Sequence, residues 1–242
     1  MDCSNVVSRV KPSVALVAAL DQSNNMLGTG TGFVFSKKGI LVTCDHVVRS
    51  ANKVLIKFSG GEFIEAEIVI RDSEHDLALL KFNDDSRIPI PIAEAKNIQE
   101  GMKVIFSGYP LGLQDLTTHI GVLSAITQDA TGVDTYLIDG TVNSGNSGCP
   151  LMNADGKVIG VVNAKRRERS DLLSKVERMS RGAISLHNID LVEIYQAIIS
   201  NVQLGIGYAV PATYIPEHKN GYNLQNLNHI VQSRTNPPKN KK

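Results

Sequence analysis

The sequence predicts an all-β protein with two antiparallel barrels. Short, β-branched apolar runs recur along the chain, and turn residues separate them. One series of runs lies within residues 14–92 and a second within residues 103–210, and a link near residues 93–101 joins the two. Two similar series of short strands are typical of a paired barrel. The 242 residues are enough to bury a substantial core.

The first series contains the clearest strand pattern. Val54, Ile56 and Phe58 alternate onto one face of a strand, and Gly60 and Gly61 then supply a hairpin turn to the next strand. This pattern is typical of half-buried antiparallel strands. The strands predicted for this series are residues 14–20, 32–35, 40–43, 53–58, 65–70 and 77–82.

The second series predicts strands at residues 103–107, 119–127, 135–139, 157–163 and 205–210. Residues 165–204 interrupt this series, and apolar residues at helical spacing within 191–202 predict a helical insertion. The main domain is predicted to span residues 1–216, with barrels at about 10–95 and 101–216. Residues 217–242 are predicted to contain a C-terminal helix near 224–232 and a disordered basic tail.

Composition excludes several classes of partner. Lys and Arg number 25 against 24 Asp and Glu, so no overall field favours a nucleic acid or a membrane. No segment approaches the roughly 20 apolar residues that a membrane helix needs. The three cysteines lack metal-ligand spacing, so neither a metal nor another cofactor is predicted. Their odd number and the lack of a basic leader after Met1 predict a reducing, cytoplasmic location.

The segment Gly145-Asn146-Ser147-Gly148 presents a serine on a tight turn. Its glycines permit unusual φ angles and leave space for a substrate carbonyl next to the Ser147 hydroxyl. The N–H groups of Gly145 and Ser147 are predicted to form an oxyanion hole. The same residue types also form ordinary polar turns, so a catalytic serine requires a base elsewhere in the chain.

A histidine and an aspartate precede this serine in settings that suit catalysis. His46 follows the apolar run at residues 40–43, and Asp76 comes immediately before the strand at residues 77–82. The order His, Asp, Ser is that of the chymotrypsin-type triad. The alternative to a catalytic triad is a core histidine, a strand-capping aspartate and a turn serine.

Two neighbouring residues are not expected to take part in catalysis. His75 is predicted to be solvated on the opposite face of a strand, and Asp45 is predicted to be a poor orienting acid for His46.

Five stretches carry a family resemblance: residues 29–34 with 43–48, then 76–81, 108–112, 145–148 and 205–211. In this order, over most of residues 10–216, they resemble a trypsin-like serine protease of the HtrA/Deg type. The resemblance implies two six-stranded chymotrypsin-like barrels and a serine endopeptidase that works through an acyl-enzyme. It also implies that His46 is the general base, Asp76 its orienting acid and Ser147 the nucleophile. Too few residues follow Pro211 for the PDZ domain, of about a hundred residues, that commonly follows such a domain, so a protease domain alone is expected.

The resemblance also implies where a polypeptide substrate binds. Thr141 falls at the base of the primary specificity pocket, and the lack of an acid there offers no counter-charge for Arg or Lys. Ile206 is expected to narrow this pocket, so a small or medium aliphatic side chain is predicted before the cleaved bond. The full predicted substrate-binding set is Thr141, Asn143, Val162, Asn163 and Ile206.

The chain departs from the family pattern at two positions beside Ser147. Cys149 replaces a glycine that the family usually has, and a side chain at this position can shift the turn that forms the oxyanion hole. Asn146 replaces the aspartate with which secreted trypsins bind a newly cut N-terminus, so activation by such a cut is not expected. Cys44 and Cys149 are interpreted either as a redox-sensitive pair or as small buried hydrophobes.

The insertion at residues 165–204 suggests control. It replaces a short loop that borders the specificity pocket in the family, so it is expected to act as a lid or a docking element for a regulatory protein. Its basic run at residues 165–169 either binds an acidic partner or is a solvated loop. Two further readings stay open: a latent or inactive barrel that binds a peptide or a partner, and a hydrolase of small esters.

Overall fold

The computed structural model describes residues 2–164, 179–180, 182–183, 185–187, 189–194 and 205–216. Two closed antiparallel barrels dominate these residues, as the sequence predicted. The first barrel has the strand order β1-β2-β3-β6-β5-β4. Its strands are β1 Val14–Leu20, β2 Met26–Ser36, β3 Ile40–Cys44, β4 Lys53–Phe58, β5 Phe63–Asp72 and β6 Leu77–Phe82.

The second barrel has the strand order β10-β11-β14-β9-β8-β7. Its strands are β7 Lys103–Gly108, β8 Thr117–Gln128, β9 Asp134–Asp139, β10 Pro150–Met152, β11 Val158–Asn163 and β14 Ile206–Pro211. The short strand β10 was missed by the sequence analysis, because three residues are too few to show a period. It pairs with β7 and β11 and follows directly after the turn that carries Ser147.

Burial along the strands follows two patterns. In β4 the residues that alternate onto the inner face, Val54, Ile56 and Phe58, are buried, as predicted. In β1 every residue is buried, because both faces are covered. Ala15 and Val17 point into the first barrel, while their neighbours face an apolar cluster between the barrels. The sequence of a strand that is covered on both faces is a continuous apolar run, and the sequence of β1 has this pattern.

The cluster between the barrels is the largest apolar contact in the described part of the chain. It takes side chains from β1, β2, β3 and β6 of the first barrel and from β7, β10, β11 and β14 of the second. Its members include Val14, Leu16, Val42, Leu79, Ile105, Met152, Val161 and Val210. Each barrel also has an apolar interior of its own.

Two helices precede or interrupt the first barrel. Helix α1, Ser4–Val10, was not predicted from the sequence, and it contributes Val10 to the cluster between the barrels. Helix α2, Asp45–Val48, is a single turn that follows β3 and carries His46. None of the helices that the structure describes is long and apolar enough to span a membrane.

Only part of the predicted insertion can be compared with the structure. Strands β12, Ser185–Leu186, and β13, Ile189–Asp190, form a small antiparallel pair that the sequence did not predict. Residues 191–194 are helical. The remainder of the predicted helical insertion, the C-terminal helix near residues 224–232 and the basic tail lie outside the described residues.

Candidate active site

The structure brings His46, Asp76 and Ser147 together at the junction of the two barrels. His46 lies in α2, Asp76 in the turn before β6, and Ser147 in the turn before β10. His46 Nδ1 is 2.6 Å from Asp76 Oδ2, and His46 Nε2 is 2.9 Å from Ser147 Oγ. A continuous chain of hydrogen bonds therefore runs from the carboxylate through the imidazole to the hydroxyl. Such an arrangement can move a proton from a serine to a histidine.

Asp76 is held by neighbours on both barrels. Its carboxylate accepts hydrogen bonds from the backbone N–H of His46, at 2.8 Å, and from Asn163 Nδ2, also at 2.8 Å. Burial raises the pKa of the Asp76 carboxyl, but the hydrogen bonds from His46 and Asn163 outweigh burial and place this pKa below its usual range. The carboxylate therefore stays ionised opposite the imidazole.

Asn163 has a different place from the one predicted. The sequence analysis expected it to contact substrate, whereas its side chain is buried and donates to Asp76. A buried polar side chain at the end of an otherwise apolar strand was the signal for this role, because a buried amide needs a polar partner. Asn163 lies on the same face of β11 as Val161, which belongs to the cluster between the barrels.

Backbone hydrogen bonds from both barrels fix the turn that carries Ser147. The Thr31 N–H donates to the Ser147 carbonyl at 2.8 Å, and the Gly148 N–H donates to the Val162 carbonyl at 2.8 Å. Ser147 Oγ accepts a hydrogen bond from the Ala164 N–H at 3.2 Å. The hydroxyl thus has a donor on one side and the imidazole on the other, and this restricts its rotation.

The predicted oxyanion turn has two notable features. Gly145 adopts a φ of 92°, and neither its N–H nor that of Ser147 donates to another group in the described part of the chain. Asn146 is completely buried, and neither polar atom of its side chain has a hydrogen-bond partner among the described residues. A buried polar group without a partner costs about 1–3 kcal/mol, so this turn carries a local energetic penalty beside the serine.

The cysteines near the site behave as buried apolar residues. Cys149 lies in the interior of the second barrel, whereas Cys44 belongs to the cluster between the barrels and donates its thiol to the Val162 carbonyl. Neither is in a disulfide. Burial raises the pKa of both thiols, and this keeps them out of the reactive thiolate form. Of the two interpretations from the sequence, this placement favours small buried hydrophobes.

The other predicted substrate-binding residues differ in exposure. Thr141 is exposed, Asn143 is half-buried, and Ile206 has 57% of its surface exposed at the start of β14. Val162 is completely buried in the second barrel, and its N–H and carbonyl both bond to the turn of Ser147. This placement contradicts a substrate contact for Val162, because no atom of it faces solvent.

The prediction that His75 is solvated is wrong. Its ring is buried, stacks on Tyr214 with centroids 4.2 Å apart, and lies with Nδ1 2.7 Å from Asp72 Oδ2. Strand β5 ends at Asp72 and β6 begins at Leu77, so His75 belongs to a turn to which strand alternation does not apply.

The other histidines carry no predicted catalytic role. His119 is half-buried against Phe106, and burial lowers its pKa. His187 is exposed, and His218 and His229 lie outside the described residues.

Among the residues that the structure describes, two groups of side chains have the composition of a metal site. They are Cys44, His46 and Asp76, and, in the turn before Asp76, Asp72, Glu74 and His75; within each group the ligand atoms lie within 4.8 Å of one another. In both groups the histidine Nδ1 is already within hydrogen-bond distance of an aspartate oxygen, at 2.6 Å and 2.7 Å.

The fold and the triad geometry define a class of protein. Residues 30–161, more than half of the chain, match the family model described as the trypsin-like peptidase domain. The chain therefore belongs to the family of trypsin-like peptidases. Its strand order of two closed six-stranded barrels agrees with this membership.

Proteins similar to this chain include some named as HtrA or DegP-like serine proteases, in agreement with the resemblance seen in the sequence. Putative serine protease HhoB of Synechocystis is 34% identical over 152 residues, which are 60% of this chain and 36% of that protein. A probable periplasmic serine endoprotease, DegP-like, of Halomonas elongata is 34% identical over 147 residues, which are 59% of this chain and 31% of that protein. The chain thus spans about a third of the length of these curated relatives.

A solved structure confirms the fold. The HtrA-type protease AlgW with tripeptide superposes with a TM-score of 0.66 at 24% identity, covering 96% of this chain and 63% of AlgW. At this identity the likeness shows a common fold, and the roles of individual residues have to be argued from the site itself.

Gly148→Ala should disrupt the turn of Ser147. Gly148 has a φ of 90°, and a Cβ there would lie 2.0 Å from the Thr31 carbonyl oxygen. We expect a loss of about 1–3 kcal/mol in the free energy of unfolding from the backbone conformation alone, measured by urea denaturation. Gly28→Ala is the matched control, because a Cβ there meets nothing within 4 Å. Equal stability of the two variants would contradict this account of the turn.

Asp76→Asn should reduce the decrease in the free energy of unfolding at acid pH. Because the folded-state pKa of Asp76 is lowered, its contribution to stability is present above about pH 4 and is lost as the pH falls through that lowered value. Urea unfolding between roughly pH 2 and 6 should therefore show a shallower decrease for the variant than for the wild type. Parallel decreases would show that Asp76 is not stabilised as a carboxylate in the fold.

Proposed function

We propose that this chain is a serine endopeptidase that cleaves polypeptides through an acyl-enzyme. The observation that carries the proposal is the chain of hydrogen bonds from Asp76 through His46 to Ser147, with distances of 2.6 Å and 2.9 Å. Family membership and the names of the relatives, both serine proteases, support it. The tripeptide named with AlgW supports a polypeptide substrate.

The geometry indicates a role for each group of the triad. His46 Nε2 removes the proton from Ser147 Oγ as this oxygen attacks the substrate carbonyl, and it then protonates the leaving amine. Asp76 accepts the Nδ1–H of His46, which selects the required tautomer and stabilises the imidazolium. A water molecule then hydrolyses the acyl-enzyme by the same proton transfers in reverse.

The N–H groups of Gly145 and Ser147 complete the proposed mechanism. Both are uncommitted among the described residues, so they are available to the oxyanion of the tetrahedral intermediate. Glycine is required at position 145, because its φ of 92° disfavours other residues and a Cβ there would lie 2.3 Å from the Tyr109 carbonyl oxygen. Stabilisation of an oxyanion by such donors is commonly worth about 10²–10³ in kcat per donor.

For specificity, we propose a small or medium aliphatic side chain before the cleaved bond. Thr141 is exposed and uncharged, and Ile206 presents an exposed apolar side chain at the start of β14. Neither residue offers a counter-charge to a basic side chain of the substrate.

Residues 165–204 are proposed to control access to the site and to receive a regulatory protein. The insertion begins directly after Ala164, whose N–H contacts Ser147 Oγ, and ends directly before Gly205, whose carbonyl accepts the Gly140 N–H at 3.3 Å. Both ends of the insertion are thus joined to segments of the proposed site. A binding partner on the insertion would act on these segments through a short stretch of backbone.

A cytoplasmic location is proposed on cysteine usage alone. The buried thiols of Cys44 and Cys149 are not bridged, and three cysteines cannot all pair within one chain. Fractionation of the source cells tests this point, and a periplasmic location, as the name of the Halomonas relative states for that protein, would contradict it.

A fluorophosphonate probe should label Ser147 in the wild-type protein. The probe reacts only with a serine whose hydroxyl is activated by a base, so we expect labelling to be lost in Ser147→Ala and reduced in His46→Ala. Ser124→Ala is the matched control, because Ser124 is exposed on β8 and should leave labelling unchanged. An unlabelled, folded wild type would favour the latent, binding-module alternative.

The class of substrate requires a second measurement. Hydrolysis of peptides as well as small esters supports the peptidase, whereas hydrolysis of esters alone would favour the small-ester alternative.

Deletion of residues 167–203 with a short linker should change peptide turnover while the two barrels stay folded. The expected change is in kcat or KM for a peptide substrate, with the unfolding transition of the barrels retained. Unchanged kinetics in a folded deletion variant would remove the proposed control by the insertion.

A further inference from the structure

An ion pair between a buried carboxylate, Asp45, and a partly exposed guanidinium, Arg71, lies directly beside the proposed catalytic base. Asp45 precedes His46 in α2, and its side chain is 3% exposed. Arg71, on β5, donates to it through Nε at 2.6 Å and through Nη2 at 3.2 Å. This two-point contact between a guanidinium and a carboxylate is strong and directional. Ser73 Oγ adds a third, longer hydrogen bond to Asp45, at 3.3 Å.

The same guanidinium also contacts the other end of α2. Arg71 Nη1 lies 3.5 Å from the carbonyl oxygen of Arg49, the residue that follows the helix. Helix α2 has four residues, and a single helical turn is not stable without outside contacts. Arg71 therefore holds both ends of the turn that carries His46.

The ion pair links the two segments whose alignment sets the catalytic distance. Asp45 donates its backbone N–H to the Asp76 carbonyl at 3.0 Å, and His46 donates its own to the Asp76 carboxylate. Arg71 lies on β5, just before the turn that leads to Asp76. A shift of α2 relative to that turn would lengthen the hydrogen bond from His46 to Asp76.

We propose that Arg71, acting through Asp45, is a positioning residue that aligns His46 with Asp76 and Ser147. This inference rests on the proposed peptidase function for its kinetic consequence, but its structural consequence can be measured separately. Arg71 is suited to this task and lysine is not, because only the planar guanidinium can contact both carboxylate oxygens and the end of the helix at once. Asp45, being buried, in turn needs this partner.

The test compares Arg71→Ala, Arg71→Lys and Asp45→Asn with the wild type in the full chain. We expect Arg71→Ala to lower kcat roughly 10- to 100-fold with little change in KM, because misalignment affects the chemical step. Arg71→Lys should retain part of the wild-type kcat, since a lysine keeps the positive charge but cannot contact both carboxylate oxygens at once. The deshielded proton resonance of the His46 Nδ1–H, which reports the hydrogen bond to Asp76, should weaken or shift in Arg71→Ala.

Arg87→Ala is the matched control. Arg87 forms an ion pair with Asp84, with Nε 2.9 Å from Oδ2, in the segment that follows β6. Its loss should leave kcat and the His46 resonance unchanged. If Arg71→Ala does not fold, Arg71→Lys and Asp45→Asn carry the same comparison.

A folded Arg71→Ala protein with wild-type kcat and an unchanged His46 resonance would overturn the inference. So would a decrease in kcat that only matches the fraction of unfolded protein in urea titrations. If the wild type neither cleaves peptides nor reacts with the fluorophosphonate probe, the proposed function fails. The His46 resonance still decides whether Arg71 positions the imidazole in that case.

Discussion

The apolar contact between the two barrels is the constraint on which the site depends, because each barrel supplies only part of it. His46 and Asp76 come from the first barrel and Ser147 from the second. The cluster between the barrels contains many fully buried aliphatic side chains, and burying each is worth about 1.5–3 kcal/mol. The distance of 2.9 Å between His46 and Ser147 therefore exists only while this contact is intact.

Thr31 converts this nonspecific contact into a defined geometry. It lies on β2 of the first barrel and is completely buried. Its hydroxyl donates to the Gly145 carbonyl at 2.7 Å and accepts the Tyr109 N–H at 3.0 Å, while its backbone N–H bonds to the Ser147 carbonyl. Apolar packing brings the barrels together without direction, and these hydrogen bonds set the register of the serine turn.

The parts of the molecule that sequence could predict are those with a local pattern. The strands of both barrels other than β10 follow from short apolar runs and turn residues, and the order of His46, Asp76 and Ser147 follows from motifs. Asn163 and Val162 were both expected at the substrate, although they point to opposite faces of β11. Strand alternation places Asn163 with Val161 toward the first barrel and Val162 inside the second. The barrel against which each face of β11 packs depends on the tertiary structure and cannot be predicted from a local sequence pattern.

Asp76 shows why the support of a site is harder to predict than its reacting atoms. It adopts a φ of 54°, and a residue other than glycine in this region stores about 1–3 kcal/mol of strain. The hydrogen bonds that hold it come from Asp45, His46 and Asn163, which are 31, 30 and 87 positions away in the chain. The sequence next to β6 identifies Asp76 as the acid, but residues from both barrels determine its conformation. A strained acid held in this way keeps its position while the imidazole beside it changes charge, as the proposed mechanism requires.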